Sequence, residues 1–150
     1  MIAVDTNILV YAHRTDSPFH ERARGTLEAL AADVRPWAIP WPCAHEFLAI
    51  VTHPRIFRTA TPASTAFDQL RRLHALDNVA FIGEAGDYLA RIEALAVTGR
   101  IVGGAIHDAR IAALCLSHGV TELWSADRDF SRFPALSCRN PLIDDRRPET

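Results

Sequence analysis

Lysine is missing from this 150-residue chain: all sixteen of its basic residues are arginine. A guanidinium keeps its proton and cannot serve as an amine nucleophile, so Schiff-base chemistry is excluded. P-loop nucleotide hydrolysis and kinase-type transfer go with it, because both grip phosphate with a lysine, as do phosphorylation-receiver and dehalogenase-like sites. Cysteine is nearly as scarce. Cys43, Cys115 and Cys138 are odd in number and in no paired spacing, which excludes a disulfide framework or a zinc ribbon. No apolar run is long enough to span a bilayer and the opening IAVD carries no basic leader, so a soluble, cytoplasmic chain with no membrane association is expected. A large charge of either sign is also lacking. With a formal net charge of −2, no global field draws nucleic acid in, and such a partner would need local arginines or bound metal.

What is present suffices for a core. At 49% hydrophobic residues, the chain is read as one globular domain, 1–150, with 1–142 ordered and 143–150, ending DDRRPET, a frayed tail. Residues 2–4 read as a short buried strand, and Asp5, Thr6 and Asn7 as a turn opening a helix through Tyr11. A second helix fits 19–32 and a strand 37–39, closed by Pro40. Pro42 suits the first position of a third helix, whose apolar face is Phe47, Ile50 and Val51 and which stops before Pro54. After a loop at 55–60, Thr61-Pro62 is expected to cap a fourth helix carrying Phe67, Leu70 and Leu73. A strand at 79–82, a helix at 87–97, a glycine-containing loop and a helix from 105 to 118 follow, the last stopped by Gly119. The chain closes with a strand at 123–126 and an edge strand at 137–139.

This alternation predicts an α/β fold, a short and mostly parallel sheet covered by helices on both faces. Three apolar runs end in a carboxylate at its carboxyl edge: IAVD at Asp5, AIHDARIAA at Asp108 and LWSADRDF at Asp127. A fourth acid, Glu46, lies in PCAHEFLAI. Each acid alone has a plain explanation: Asp5 as a helix cap, Glu46 and Asp108 as partners of helix dipoles, Asp127 and Asp129 as turn residues. Four acids at one sheet edge would repel each other, and a hard divalent cation is the usual way such a set is kept ionised. Asp108 shares a helical face with Ala112 and Cys115, so its carboxylate points along a partly buried stripe.

In order and spacing, DTNILVYA, HEFLAIVTHPRI, HDARIAALCLSHG and WSADRDF resemble the PIN-domain nucleases, and within them the VapC-type toxins of bacterial toxin–antitoxin pairs. The resemblance implies a three-layer α/β/α domain. It makes Asp5, Glu46, Asp108 and Asp127 the catalytic quartet, with Asp5 and Asp108 the principal ligands of Mg²⁺ or Mn²⁺. Asp129 would be an auxiliary acid, and Thr6, Asn7 and Ser125 would orient ligands or water. It further implies endonucleolytic RNA cleavage leaving 5′-phosphate and 3′-hydroxyl ends, on structured RNA such as tRNA or rRNA, a homodimer, and a cognate antitoxin seated in the acidic groove. Cys43 departs from the pattern, since many relatives carry Ser or Thr there, which weakens the expected support for Glu46.

Carboxylates favour Mg²⁺ or Mn²⁺ over softer metals, and such an ion activates water toward a phosphodiester. For substrate grip, Arg55 and Arg58 after the Glu46 helix and Arg128 and Arg132 after Asp127 are the candidates. Trp41 and Trp124 are read as packing residues before base-stacking ones, and His45 and His107 as surface residues. His107-Asp108 is similar to the pair of HD-type phosphohydrolases, but those are all-helical and need further histidines. A dehalogenase-like phosphomonoesterase would want an acid at Asn7 and a lysine. The alternative from another class is a non-catalytic RNA-binding or antitoxin-binding module on the same fold.

Overall fold

The strands fall into a five-stranded sheet of order β3-β2-β1-β4-β5 in the computed structural model, which describes residues 1–143. The strands are β1 (Ile2–Val4), β2 (Trp37–Pro40), β3 (Val79–Ile82), β4 (Glu122–Trp124) and β5 (Ser137–Arg139), and every neighbouring pair is parallel. Register is fixed by pairs such as Ala3 with Ala38 and Val4 with Trp124. The helices are α1 (Thr6–His13), α2 (His20–Ala32), α3 (Trp41–Val51), α4 (Ala63–His74), α5 (Tyr88–Gly99) and α6 (Ile106–Ser117).

Two apolar cores lie on the two sheet faces, because strand side chains alternate. Val4, Trp37 and Ile39 pack with Ile8 of α1, Leu27 of α2, Phe47 of α3 and Leu70 of α4. On the opposite face, Ala3, Ala38, Ile82 and Leu123 meet Ala109, Ala112 and Cys115 of α6, with Ile92 and Leu95 of α5 outside them. The result is the three-layer α/β/α arrangement expected, with the sheet parallel throughout. Small residues at Ala3, Ala38, Ala109 and Ala112, all fully buried, let α6 approach the sheet closely. That approach places Asp108 in the first turn of α6, near the carboxyl ends of β1 and β4.

Helix boundaries follow local chemistry. Asp5 caps α1, accepting the Thr6 N–H at 2.8 Å. Gly119 takes a positive φ of 73° just past α6, a conformation that glycine adopts without steric cost. Two expectations fail on α4. Thr61 makes no cap; its hydroxyl accepts from Arg14 at 3.3 Å and shares a hydrogen bond with His13 at 3.0 Å. Phe67 is 50% exposed, because Ala66, Leu70 and Leu73 already fill the face turned to the core. β4 ends at Trp124, two residues early, since the Ala126 N–H leaves the sheet to donate to Asn7 Oδ1 at 3.1 Å. Of the expected tail, 144–150 lies outside the described residues, while Ile143 is exposed. Among the described residues, no helix is long and apolar enough to cross a membrane.

Candidate active site

At the carboxyl edge of the sheet, a cleft of about 330 Å³ is lined by Asp5, Glu46, Asp108 and Asp127 together with Thr6 and Asn7. Four separate elements deliver the acids. Asp5 follows β1, Glu46 lies in the second turn of α3, Asp108 lies in the first turn of α6, and Asp127 follows β4 and caps the 3-10 turn Arg128–Arg132. Apolar side chains, including Tyr11, Ile56, Phe57 and Phe130, form the walls. A second and more apolar cavity, of about 290 Å³ beside Ile2, Trp37 and Trp124, contains none of these acids.

Asp5 is the fixed point of the cleft. It is only 5% exposed, yet four donors surround its carboxylate. The Thr6 N–H (2.8 Å) and Cys43 Sγ (3.4 Å) donate to Oδ1; Ser125 Oγ (2.7 Å) and Asn7 Nδ2 (3.4 Å) donate to Oδ2. Ser125 is itself held, accepting from Asn7 Nδ2 at 3.1 Å and from the Asp127 N–H at 2.9 Å. One buried hydroxyl thus ties the β1 acid to the β4 acid. Burial pushes the Asp5 carboxyl above its usual range; the Ser125, Thr6 and Cys43 donors pull it back, and the Asp127 charge pushes in the same direction as burial. Asp108 is raised as well, first by burial and then by Asp127 and Asp129, with Arg132 offsetting part of it and Asp5 adding to it.

Cys43 serves a different acid from the one expected. Burial, followed by the neighbouring Asp5, holds the Cys43 thiol protonated well above the usual thiol range, so it faces Asp5 as a donor. Glu46 takes its support from Thr6, whose hydroxyl donates to Oε2 at 3.0 Å.

The donor set suits a hard divalent ion: oxygen ligands on four carboxylates that line one cleft open to water. Among the described residues, no three His, Cys, Asp or Glu side chains stand together as a ready cluster for one ion. Mg²⁺ fits such a site, because it is commonly held by one or two carboxylates and keeps its remaining waters.

A family model for the PIN domain matches residues 2–136. The chain belongs to the PIN-domain family. This PIN domain is 37% identical over 142 residues to VapC ribonuclease Mb2897 of Mycobacterium bovis, covering 95% of this chain and 96% of that protein. It is 30% identical over 138 residues to ribonuclease VapC48 of Mycobacterium tuberculosis, covering 92% and 95%. In fold it is similar to a chain of the structure of VapBC2 from Rickettsia felis bound to a promoter DNA fragment. That match has a TM-score of 0.68 at 21% identity, covering 93% of this chain and 98% of that one.

The remaining predicted residues of the PIN domain divide by position. Asp129 is exposed, with its carboxylate 3.6 Å from Arg132, and acts on the cleft through its charge on Asp108 without lining it. Arg128 lines the neighbouring depression behind Asp127. Arg55 and Arg58 are exposed on the segment that sends Ile56 and Phe57 into the cleft. Trp124 is buried, and Trp41 packs against Phe81 with ring centroids 4.8 Å apart, as packing residues do. The Cys43 donor and the Phe57 wall were missed from sequence. The one signal for Cys43 was its spacing of three before Glu46, which puts it on the same side of α3.

Proposed function

We propose that this PIN domain is an Mg²⁺- or Mn²⁺-dependent endoribonuclease and the toxin of a VapBC-type pair, acting in the cytoplasm on structured RNA such as tRNA or rRNA. The observation that carries the reading is the convergence of Asp5, Glu46, Asp108 and Asp127 on one cleft, with a buried hydroxyl linking two of them. The ribonuclease names of the Mycobacterium relatives support it.

Asp5 and Asp108 would be the principal ligands of the ion, with Glu46 and Asp127 completing the set. When bound, such an ion lowers the pKa of a water and offsets charge on a phosphodiester. Ser125, Asn7 and Cys43 hold the Asp5 carboxylate in one orientation and favour its ionised form. Thr6 orients Glu46, which is exposed at the cleft and free to complete the ligand set. Arg55 and Arg58 would contact RNA phosphates on one side of the cleft, and Arg128 and Arg132 on the other. Residues 1–150 act as a single nuclease unit in this reading. A cognate antitoxin, in keeping with the VapBC2 structure of similar fold, is one partner, and a second copy of the chain is the other.

Calorimetric titration with Mn²⁺ tests the metal half of the proposal. Wild-type protein is expected to bind, and Asp5→Asn and Asp108→Asn to bind at least tenfold more weakly. Equal binding by all three would remove the acids from the ligand set.

A further inference from the structure

Between α3 and α4 the chain runs for eleven residues, 52–62, without helix or strand. Its neck is closed by the Thr61 N–H donating to Val51 O at 2.8 Å. A tight turn brings the Ile56 and Phe57 N–H groups to His53 O at 3.1 and 3.2 Å. That turn directs Ile56 and Phe57 into the acidic cleft and leaves Arg55 and Arg58 on either side. The segment also holds itself through the Arg55 N–H, which donates to His53 Nδ1 at 3.0 Å, and through Phe57, which packs against the apolar core.

Arg14, just past α1, adds contacts from outside the segment, to Phe57, Thr59 and Thr61. Its side chain is 11% exposed, a burial that arginine reaches when its guanidinium is paired. Nη1 donates to Thr59 O at 2.7 Å and to Thr61 Oγ1 at 3.3 Å, while Cζ lies 4.0 Å from the centroid of the Phe57 ring. The other edge of the guanidinium is gripped by Asp16, Nε to Oδ1 at 2.9 Å and Nη2 to Oδ2 at 2.6 Å. The bidentate pair with Asp16 fixes the plane of the guanidinium, and the fixed plane in turn sets the Phe57 ring and the Thr59 carbonyl. Lysine could make one of these contacts but not all of them together.

We propose that Arg14 is a positioning residue that sets the 53–60 wall of the cleft, and through it the affinity for RNA, without touching the reacting atoms. The inference rests on the ribonuclease reading for its substrate but not for its geometry. Two measurements separate the parts: amide hydrogen exchange of the free protein, and steady-state cleavage of a short RNA, each on wild type, Arg14→Met and Arg14→Lys. Loss of the strap is expected to speed exchange at 55–59 while β1 and α6 stay protected, and to raise KM about tenfold with kcat within twofold. Arg14→Lys is expected to fall between, and its retained charge and length keep the test valid if Arg14→Met folds poorly. Unchanged exchange at 55–59 in both variants overturns the strap, whatever RNA does. Faster exchange with an unchanged KM, or a loss confined to kcat, overturns the link to substrate. A wild-type protein that leaves RNA intact would sink the ribonuclease reading instead, and exchange alone would then decide whether Arg14 sets the wall.

Discussion

Asparagine at position 108 is expected to make this protein more stable while ending its chemistry. Burial and the charges of Asp127 and Asp129 raise the Asp108 carboxyl, so in the metal-free protein its ionised form is disfavoured by the fold. A carboxyl raised on folding holds its proton at a pH where the unfolded chain has released it, so stability falls as pH rises through that window. The destabilisation is fully present above the folded-state pKa and absent below the ordinary aspartate value. Each charge pair at a partly solvated site is worth roughly 0.2–1 kcal/mol. Losing the repulsions of Asp127, Asp129 and Asp5 together with the attraction of Arg132 contributes a net gain of about 0.4–2 kcal/mol, or roughly 1–8 °C in Tm for a chain of this size. The assay is thermal unfolding of wild type and Asp108→Asn in EDTA, at about pH 7 and again at about pH 3, where aspartates are mostly protonated. The gain should appear at the higher pH, shrink in 1 M salt, where the Debye length is about 3 Å, and vanish at the lower pH. A variant that is less stable at neutral pH, or whose gain persists under acid, would refute the repulsion argument.

Other outcomes follow from the same geometry. Ser125→Ala removes a charge-assisted hydrogen bond to Asp5 worth about 1.5–3 kcal/mol; the acid limb of the cleavage pH profile should then move up by about one to two units, and an unmoved limb would exclude Ser125 as its support. Thr6→Val strips Glu46 of its donor and should lower cleavage about 10- to 100-fold, with the fold intact by circular dichroism. Phe47→Ala should cost about 3–5 kcal/mol in urea unfolding, whereas the exposed Phe67→Ala should stay within about 0.5 kcal/mol. If Arg55 and Arg58 each contact a phosphate, changing both to Gln should flatten the salt dependence of RNA binding by about two units of slope.

Much of this fold was legible because its signals are local. Strand runs such as IAV and VAFI, the cap at Asp5 and the stop at Gly119 each act over a few residues, and the structure keeps them. The acids were legible for a related reason: parallel βα units send strand ends and first helical turns to the same edge. Long-range choices were not readable. Whether Thr61 caps α4 or meets Arg14 depends on a side chain 47 residues away. Phe67 has the right spacing for the core, but Ala66 and Leu70 already occupy the space. Cys43 looks like a departure near Glu46 in the sequence, yet three-dimensional packing turns it to Asp5, 38 residues away.

The central claim is that the four convergent acids cut RNA with a divalent ion. Its most direct test is incubation of a mixed pool of structured bacterial RNAs with purified protein and Mg²⁺ or Mn²⁺, beside EDTA and Asp5→Asn. Cuts that leave 5′-phosphate ends and vanish in both controls are the predicted result. An intact pool with wild-type protein that nevertheless binds RNA would contradict the claim, leaving a non-catalytic binding module on a PIN fold.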